Sequence, residues 1–285
     1  MNGAADIAPS RLSAVPSELP KLLAFARRDF LDAWSYRAAF FTDIATMLFQ
    51  LVVFYFVGKM INPSVLPEFG GERATYVEFV AVGLVINGIV GVGLSKVGGA
   101  LRAEQLKGTL EVLLMTPTAL GTIQLGSVVY DLVHIPIRTT VFLLGVVLLF
   151  GAHIDPGGLV PALVLLLCFM PFVWGLGLVS AAGILTFKQG NVATSVFFSV
   201  MAISSGAYFP LELLPTWVTP IAEANPLAIA IEGLREALLG GTGWAGIGGS
   251  LAILVPTSAV MLPAGIFAFR LALARERRRG TLALY

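Results

Sequence analysis

Long apolar runs separated by short polar segments make up most of this chain. Six runs reach about 20 residues, the length that lets an α-helix cross roughly 30 Å of hydrocarbon. None of them alternates between apolar and polar residues, so the pattern predicts helices rather than the strands of a barrel. The expected fold is an all-α polytopic membrane protein. Its predicted spans are about 38–59, 75–96, 122–150, 159–186, 191–209 and 247–270.

The composition supports this interpretation and narrows the function. Of the 285 residues, 57% are hydrophobic and 12% are charged, against roughly 25% charged residues in an average soluble domain. The single cysteine, Cys168, excludes an intrachain disulfide. The net charge of +1 is spread over several segments, so no nucleic-acid partner is expected. Residues 1–37 hold no uninterrupted apolar core, so no cleaved signal peptide is expected.

The Lys and Arg residues predict the orientation of the spans, because cytoplasmic flanks of membrane helices carry an excess of both. With a cytoplasmic N-terminus, the inner segments hold Arg11, Lys21, Arg27, Arg28, Arg37, Lys96, Arg102, Lys107, Lys188, Arg270, Arg275, Arg277, Arg278 and Arg279. The outer segments hold only Lys59, Arg73 and Arg235. We therefore expect a multi-pass protein of the plasma (inner) membrane with both termini in the cytoplasm.

Three regions are predicted: a cytoplasmic tail over 1–37, a transmembrane domain over 38–272 and a basic tail over 273–285. Within the first region, SELPKLLAFARRDFLDAWSYR has an apolar helical face and an opposite polar face. Trp and Tyr near its end suit the headgroup level of a bilayer. The pattern predicts an interfacial helix in the membrane plane. The alternative is a solvated helix that packs on a partner protein.

The outer segment, about 208–245, is predicted to enter the membrane and return, or to lie on the outer surface. Asn225 is the expected N-cap of a helix of about 14 residues, which is too short to cross a bilayer. Pro226 fits its first position, and Gly240-Gly241 fit its end. Its apolar face is opposite a polar side with Glu232, Arg235 and Glu236, and prolines divide the stretch before it. The residues singled out in this segment are Pro210, Glu212, Pro215, Asn225, Pro226, Glu232 and Arg235.

A second unusual stretch, EQLKGTLEVLLMTP (104–117), lies in the predicted cytoplasmic connection 97–118. Leucines recur on one helical face, while Arg102, Glu104, Lys107 and Glu111 project elsewhere. Thr116-Pro117 disfavours a longer helix. The pattern predicts a short amphipathic helix with a charged ridge that faces the cytoplasm. The alternative is a connection that serves only to maintain orientation.

This stretch resembles the cytoplasmic signature of the permeases of ABC-2 exporters, a charged residue followed by G-T-L-E-x-L-L-x-T-P. The outer segment adds FPLELLP, NPL, EGLR and LGG, which resemble the region before that family's last span. The resemblance covers six spans in order, from about residue 25 to 272. It implies the transmembrane subunit of an exporter for drugs, lipids or glycan-lipids, which is not itself an enzyme.

The resemblance also implies partners. In that family the 97–118 segment is a coupling helix seated in a separate ATPase subunit, and two permease chains form one transporter, as a homodimer or a heterodimer. The coupling residues implied here are Arg102, Glu104, Lys107, Gly108, Thr109 and Glu111. The chain contains no G-x-x-x-x-G-K-[ST] sequence, so ATP and Mg are expected on the ATPase and no cofactor on this chain.

Polar residues inside the predicted spans are further candidates, either for a transport pathway or for contacts between helices. They are Asp43, Gln50, Asn87, Asp131, His134 and Arg138. Asp131, His134 and Arg138 share one face of the third span, and the simplest interpretation is a neutralising Asp131–Arg138 network. An ion-coupled secondary transporter that uses these three is one alternative function. A membrane transferase is another, although no cluster is placed for catalysis, and no metal spacing is present.

Overall fold

The computed structural model describes residues 15–106, 130–187 and 191–279. Within this part the regular secondary structure is helical apart from one small antiparallel hairpin, β1 (Glu68–Phe69) and β2 (Glu72–Arg73). The helices are α1 (Val15–Ser35), α2 (Arg37–Gly58), α3 (Tyr76–Leu106), α4 (Asp131–Phe150), α5 (Leu159–Phe187), α6 (Asn191–Ile203), α7 (Thr219–Glu223), α8 (Pro226–Leu238) and α9 (Trp244–Arg279). The all-α polytopic class is confirmed.

Five helices in the described part are long and apolar enough to cross a membrane. These candidate spans are Arg37–Gly58, Tyr76–Leu94, Asp131–Phe150, Pro156–Ile184 and Trp244–Arg275. They coincide with the first, second, third, fourth and sixth predicted spans. The fifth predicted span, 191–209, contains only α6, which has 13 residues. Its helix stops where two serines precede Gly206, whose φ of +69° is left-handed.

The start of the predicted cytoplasmic connection also differs from its prediction. Residues 97–106 continue α3 without a break, so they do not begin a separate helix. The rest of the predicted 97–118 helix, with Lys107, Gly108, Thr109 and Glu111, lies outside the described residues. Residues 122–129, the predicted start of the third span, also lie outside them.

Helix α5 is at the centre of the fold and packs against α3, α8 and α9. Small residues allow its closest contacts, because a Cβ on Gly175 would collide with the carbonyl of Met261, and one on Gly265 would collide with the carbonyl of Gly175. The core between these helices is apolar and fully buried. Its largest members include Phe79, Ile86, Phe142, Leu165, Phe169 and Ile231.

One end of the molecule, which the Lys and Arg residues predict to face outside, is formed by the hairpin, the α4–α5 connection (151–158) and the segment 204–243. We call it the outer end. The backbone N–H of Asp155 donates to the carbonyl oxygen of Leu238 at 2.8 Å, which joins the start of α5 to the end of α8. A Cβ on Gly70, in the hairpin turn, would collide with the Gly240 carbonyl. These contacts bring three distant parts of the sequence together around the end of α8.

Candidate functional site

Helix α8 begins as the sequence predicts. The Asn225 side-chain oxygen accepts a hydrogen bond from the N–H of Leu227 at 3.0 Å, and Pro226 occupies the first helical turn. Both the N-cap and the proline position are confirmed. The Asn225 amide nitrogen donates to the Met201 carbonyl at 2.8 Å and to the Ser204 hydroxyl at 3.1 Å. One side chain therefore caps the start of α8 and binds a carbonyl group in the last turn of α6.

Arg235, in the last turn of α8, lies in a different place from the one predicted. The sequence pattern put it with Glu232 and Glu236 on a polar side, but the residue is only 3% exposed. Its Nη2 donates to the carbonyl oxygens of Gly206 at 2.9 Å and Phe79 at 3.0 Å, and lies 3.5 Å from that of Ala207. The turn after α6 supplies two of these carbonyl groups and α3 supplies the third, and they offset part of the cost of burying the charge.

Two further contacts fix the guanidinium of Arg235. It stacks over the ring of Phe79, 3.4 Å from the centroid. Glu232, one turn earlier, has its carboxylate 3.9 Å from Nη1 and is largely exposed. Burial lowers the pKa of Arg235 to about 9, while the charges of Glu232 and Glu212 act in the opposite direction. The guanidinium therefore stays protonated at neutral pH.

We call Asn225, Arg235 and the carbonyl groups that they bind the outer clamp. It holds the turn Ser204–Ala207 against α3, where Gly83 leaves no room for a side chain beside Ala207. The Tyr76 hydroxyl donates to the adjacent Tyr208 carbonyl at 2.8 Å. Pro210, Glu212 and Pro215 lie outside the clamp, in or beside a short turn at Leu211–Leu213.

A second polar group lies inside the spans, near the predicted cytoplasmic third. Arg138 of α4 donates from Nε to the carboxylate of Asp43 on α2. Its guanidinium rests on α3 at Gly88, where a Cβ would lie 2.9 Å from Nη1. The predicted Asp131–Arg138 network is therefore wrong in its partner, because the long side chain reaches across to α2. Sequence spacing within one helix gave no signal for this contact.

The other intramembrane candidates are distributed around this pair. Asp131 is fully buried, and His134 contacts the rings of Phe40 and Tyr130, at centroid distances of 5.7 Å and 5.2 Å. The Asn87 amide nitrogen is buried and has no hydrogen-bond partner among the described residues. Gln50 is exposed on α2. The structure thus unites Asp43 with Arg138 and leaves the other four apart from that pair.

The two exposed sides of α2 differ in chemistry. One carries Phe41, Phe49 and Phe56 and suits hydrocarbon. The other, the polar flank of α2, consists of Thr42, Asp43, Thr46 and Gln50. The hydroxyls of Thr42 and Thr46 bond the carbonyl groups four residues before them, at 2.8 Å and 2.7 Å. Asp43 and Gln50 have polar atoms that hydrocarbon cannot satisfy.

The sequence reasoning missed Glu78, which organises the outer end. This buried carboxylate accepts hydrogen bonds from the N–H groups of Thr75 at 2.7 Å and His153 at 2.6 Å. Thr75-x-x-Glu78 is a capping box before an apolar run, and that signal could have found it. The residue lines an outer cavity of about 230 Å³ with Arg73, His153 and Asp155. In the described residues no group of three His, Cys, Asp or Glu is placed to hold a metal.

Fold and polar groups together define a class: a multi-pass α-helical membrane protein with an ion pair inside its spans and a polar clamp at one end. A sequence model of the ABC-2 type transporter family matches residues 20–239. The chain belongs to this family and is an ABC-2 type permease.

Three curated relatives show how far the similarity extends. The Linearmycin resistance permease protein LnrN of Bacillus subtilis is 30% identical over 60% of this chain and 44% of its own. ABC transporter G family member 20 of Dictyostelium discoideum is 25% identical over 65% of this chain and 25% of its own. The chain thus spans less than half of these two proteins. The Daunorubicin resistance ABC transporter permease protein DrrB1 of Streptomyces coeruleorubidus is 25% identical over 90% of this chain and 86% of its own.

Proposed function

We propose that this chain is the permease of an ATP-driven exporter, which moves an amphiphilic drug, lipid or glycan-lipid out of the cytoplasm or inner leaflet. The observation that carries this proposal is the family match over residues 20–239, which spans both the GTLE stretch and most of the outer segment. Two relatives are named for resistance to linearmycin and to daunorubicin, which favours an amphiphilic substrate.

The energy for transport comes, in this proposal, from ATP and Mg bound by a separate ABC ATPase. Arg102 and Glu104 fall on the last turns of α3, directly before the GTLE stretch. A helix that is continuous with a membrane span is well suited to carry force, because a displacement at its cytoplasmic end moves the span with it. The coupling set is the predicted one: Arg102, Glu104, Lys107, Gly108, Thr109 and Glu111.

The proposed topology has six crossings of the plasma (inner) membrane, and both termini lie in the cytoplasm. Helix α6 supplies about 20 Å of the fifth crossing at 1.5 Å per residue. Helix α8 then enters from the outside and returns. Helix α1, whose Leu23, Phe30 and Trp34 are exposed, lies in the plane of the inner leaflet.

The pathway is proposed to lie between two copies of this permease. The polar flank of α2 supports this arrangement, since Asp43 and Gln50 are better placed against protein or water than against lipid. The buried amide of Asn87 belongs to the neighbouring helix α3. An ion-coupled transporter remains the alternative function. The pairing of Arg138 with Asp43 counts against it, because the arginine already has a fixed counter-ion.

The test is co-purification of the ATPase with permease variants. We expect Glu111→Lys and Gly108→Trp to abolish transport-coupled hydrolysis. Glu111→Lys should weaken recovery of the ATPase about tenfold, the effect of losing one charge-assisted hydrogen bond. Gly108→Trp should also weaken recovery, because the bulky side chain would hold the two surfaces apart. Lys21→Ala, on α1, is the matched control and should retain the partner. Expression and membrane insertion should stay near normal in all three variants, because none of the changes is in a span. Normal recovery of the ATPase and normal transport with all three, at equal expression, would show that 97–118 is only a connection.

A further inference from the structure

We propose that Arg235 is a positioning residue for transport: its guanidinium is a tethered cation that holds the Ser204–Ala207 turn on α3 and keeps the outer end of the pathway closed. This inference rests on the proposed function, in which the substrate leaves at the outer end. It adds to that function a role for Arg235 and for its hydrogen bonds to the carbonyl groups of the turn.

The surroundings of Arg235 select a cation. Its Nη2 lies within hydrogen-bond distance of three carbonyl oxygens, from Phe79, Gly206 and Ala207, and the residue is almost fully buried. The nearest carboxylate described, on Glu232, lies 3.9 Å away and is mostly exposed. Carbonyl groups at the broken end of a membrane helix are where ion-coupled transporters hold a cation. Here the protein supplies that cation itself.

The turn depends on these polar contacts because much of α6 from residue 196 onward is exposed. Val196, Phe197, Val200 and Ile203 are all more than half exposed along the helix. By contrast, Ser204, Ser205 and Ala207 are buried under the clamp. Gly206 has a left-handed φ and joins these residues without a side chain of its own. Release of the carbonyl groups would therefore free the turn and leave the helices that carry the core in place.

Release should expose one buried atom in particular. Ser205 is 1% exposed, and its hydroxyl donates only to the Ala202 carbonyl at 2.7 Å among the contacts described. When the turn moves from Gly83, this position becomes accessible from outside. A thiol at position 205 thus reports the state of the outer end without any need for ATP or substrate. Its result is independent of whether the exporter assignment is correct.

The experiment uses Ser205→Cys in a Cys168→Ser background, with a membrane-impermeant maleimide added outside intact cells. With Arg235 present, labelling should be slow. With Arg235→Ala it should be about tenfold faster, the change expected on loss of charge-assisted hydrogen bonds. Arg235→Lys, which keeps a cation but loses the planar fork, should give an intermediate rate. Millimolar guanidinium chloride should slow labelling of the Arg235→Ala variant again.

Two controls separate positioning from general loosening. Arg73→Ala removes an exposed arginine that pairs with Glu68 on the outer hairpin, and it should leave labelling slow. Ser258→Cys, at a buried site between α5 and α9, should stay unlabelled when combined with Arg235→Ala. If Arg235→Ala does not accumulate in the membrane, the labelling rate at position 205 is compared between Arg235→Lys and the parent, and faster labelling of Arg235→Lys supports the proposal. Three outcomes would overturn the proposal. They are labelling of position 205 in a folded Arg235 variant that is as slow as in the parent, labelling of position 258 in the Arg235→Ala variant, and no effect of guanidinium on the labelling of Arg235→Ala.

Discussion

Two arginines show how single residues keep charge inside this apolar molecule. Arg138 is 6% exposed and is neutralised by Asp43, whose side chain is 45% exposed. Arg235 is equally buried but is bound by carbonyl groups and an aromatic ring. A paired charge depends on one partner, whereas a charge among carbonyl groups depends on the backbone that supplies them. The two sites should therefore respond differently to substitution.

At the first site we predict that Asp43→Asn lowers the free energy of unfolding by about 2–3 kcal/mol. This is below the roughly 3–5 kcal/mol for breaking a fully buried pair, because Asp43 is partly exposed. The double variant Asp43→Leu with Arg138→Leu should recover most of the loss, since no unpaired charge remains. Thermal unfolding in mild detergent measures both effects.

The matched control is Gln50→Leu, on the same polar flank of α2 but outside the ion pair. Its unfolding temperature should stay close to that of the parent. An Asp43→Asn variant as stable as the parent would mean that water, rather than Asp43, compensates Arg138.

The residues predicted from sequence were those whose chemistry is local. Asn225 and Pro226 mark the start of a helix through contacts within three residues, and both predictions are confirmed. The helical pattern predicts Arg235 on a polar side, because it considers one helix at a time. It cannot show carbonyl groups that other parts of the chain bring to the arginine. The Asp43–Arg138 contact joins positions 95 residues apart, and spacing within one helix carries no information about it. The coupling and pathway roles stay predictions.

Among the elements, the fifth apolar run departs from its prediction, as does the start of the 97–118 connection, which continues α3. The composition of the fifth run predicts a full span, but α6 ends at Ile203 and the chain turns through Ser204–Ala207. The apolar content of a segment predicts that it is buried in lipid or protein. It does not predict whether the backbone forms a helix or a tight turn. The other spans, with regular helices throughout their apolar runs, were predicted to within a few residues at the ends that the structure describes.

The topology of the outer segment can be tested with cysteines. Thr216→Cys and Thr242→Cys, each in a Cys168→Ser background, should both react with an impermeant maleimide added outside. Both residues are outside the candidate spans, and the adjacent Trp217 and Trp244 are exposed, as expected for side chains at the level of the headgroups. If Thr242→Cys reacted only after the membrane was opened, α8 would have to cross completely.

For the whole molecule, the sequence shown has no phosphate loop, and we predict that a separate ATPase binds the ATP. We expect the purified permease alone to show no shift in thermal stability on addition of Mg-ATP. The phosphate loop of P-loop ATPases has the sequence G-x-x-x-x-G-K-[ST], and GVGLSKVGGA (91–100) lacks that spacing. A shift that saturates at micromolar ATP would contradict a permease that depends on a separate ATPase.

The long helix α9 can transmit movement along its length, because α5 stiffens it where it is weakest. Its 36 residues extend about 54 Å, well beyond a hydrocarbon core of about 30 Å. Pro256 and Pro263 each remove a backbone hydrogen bond and would weaken a free rod. Between them, Ser258 donates to the Cys168 carbonyl at 2.9 Å and Met261 lies against Gly175, so α5 braces the weak section. A tilt of about 5° would swing the far end by roughly 5 Å, enough to link events on opposite sides of the membrane mechanically.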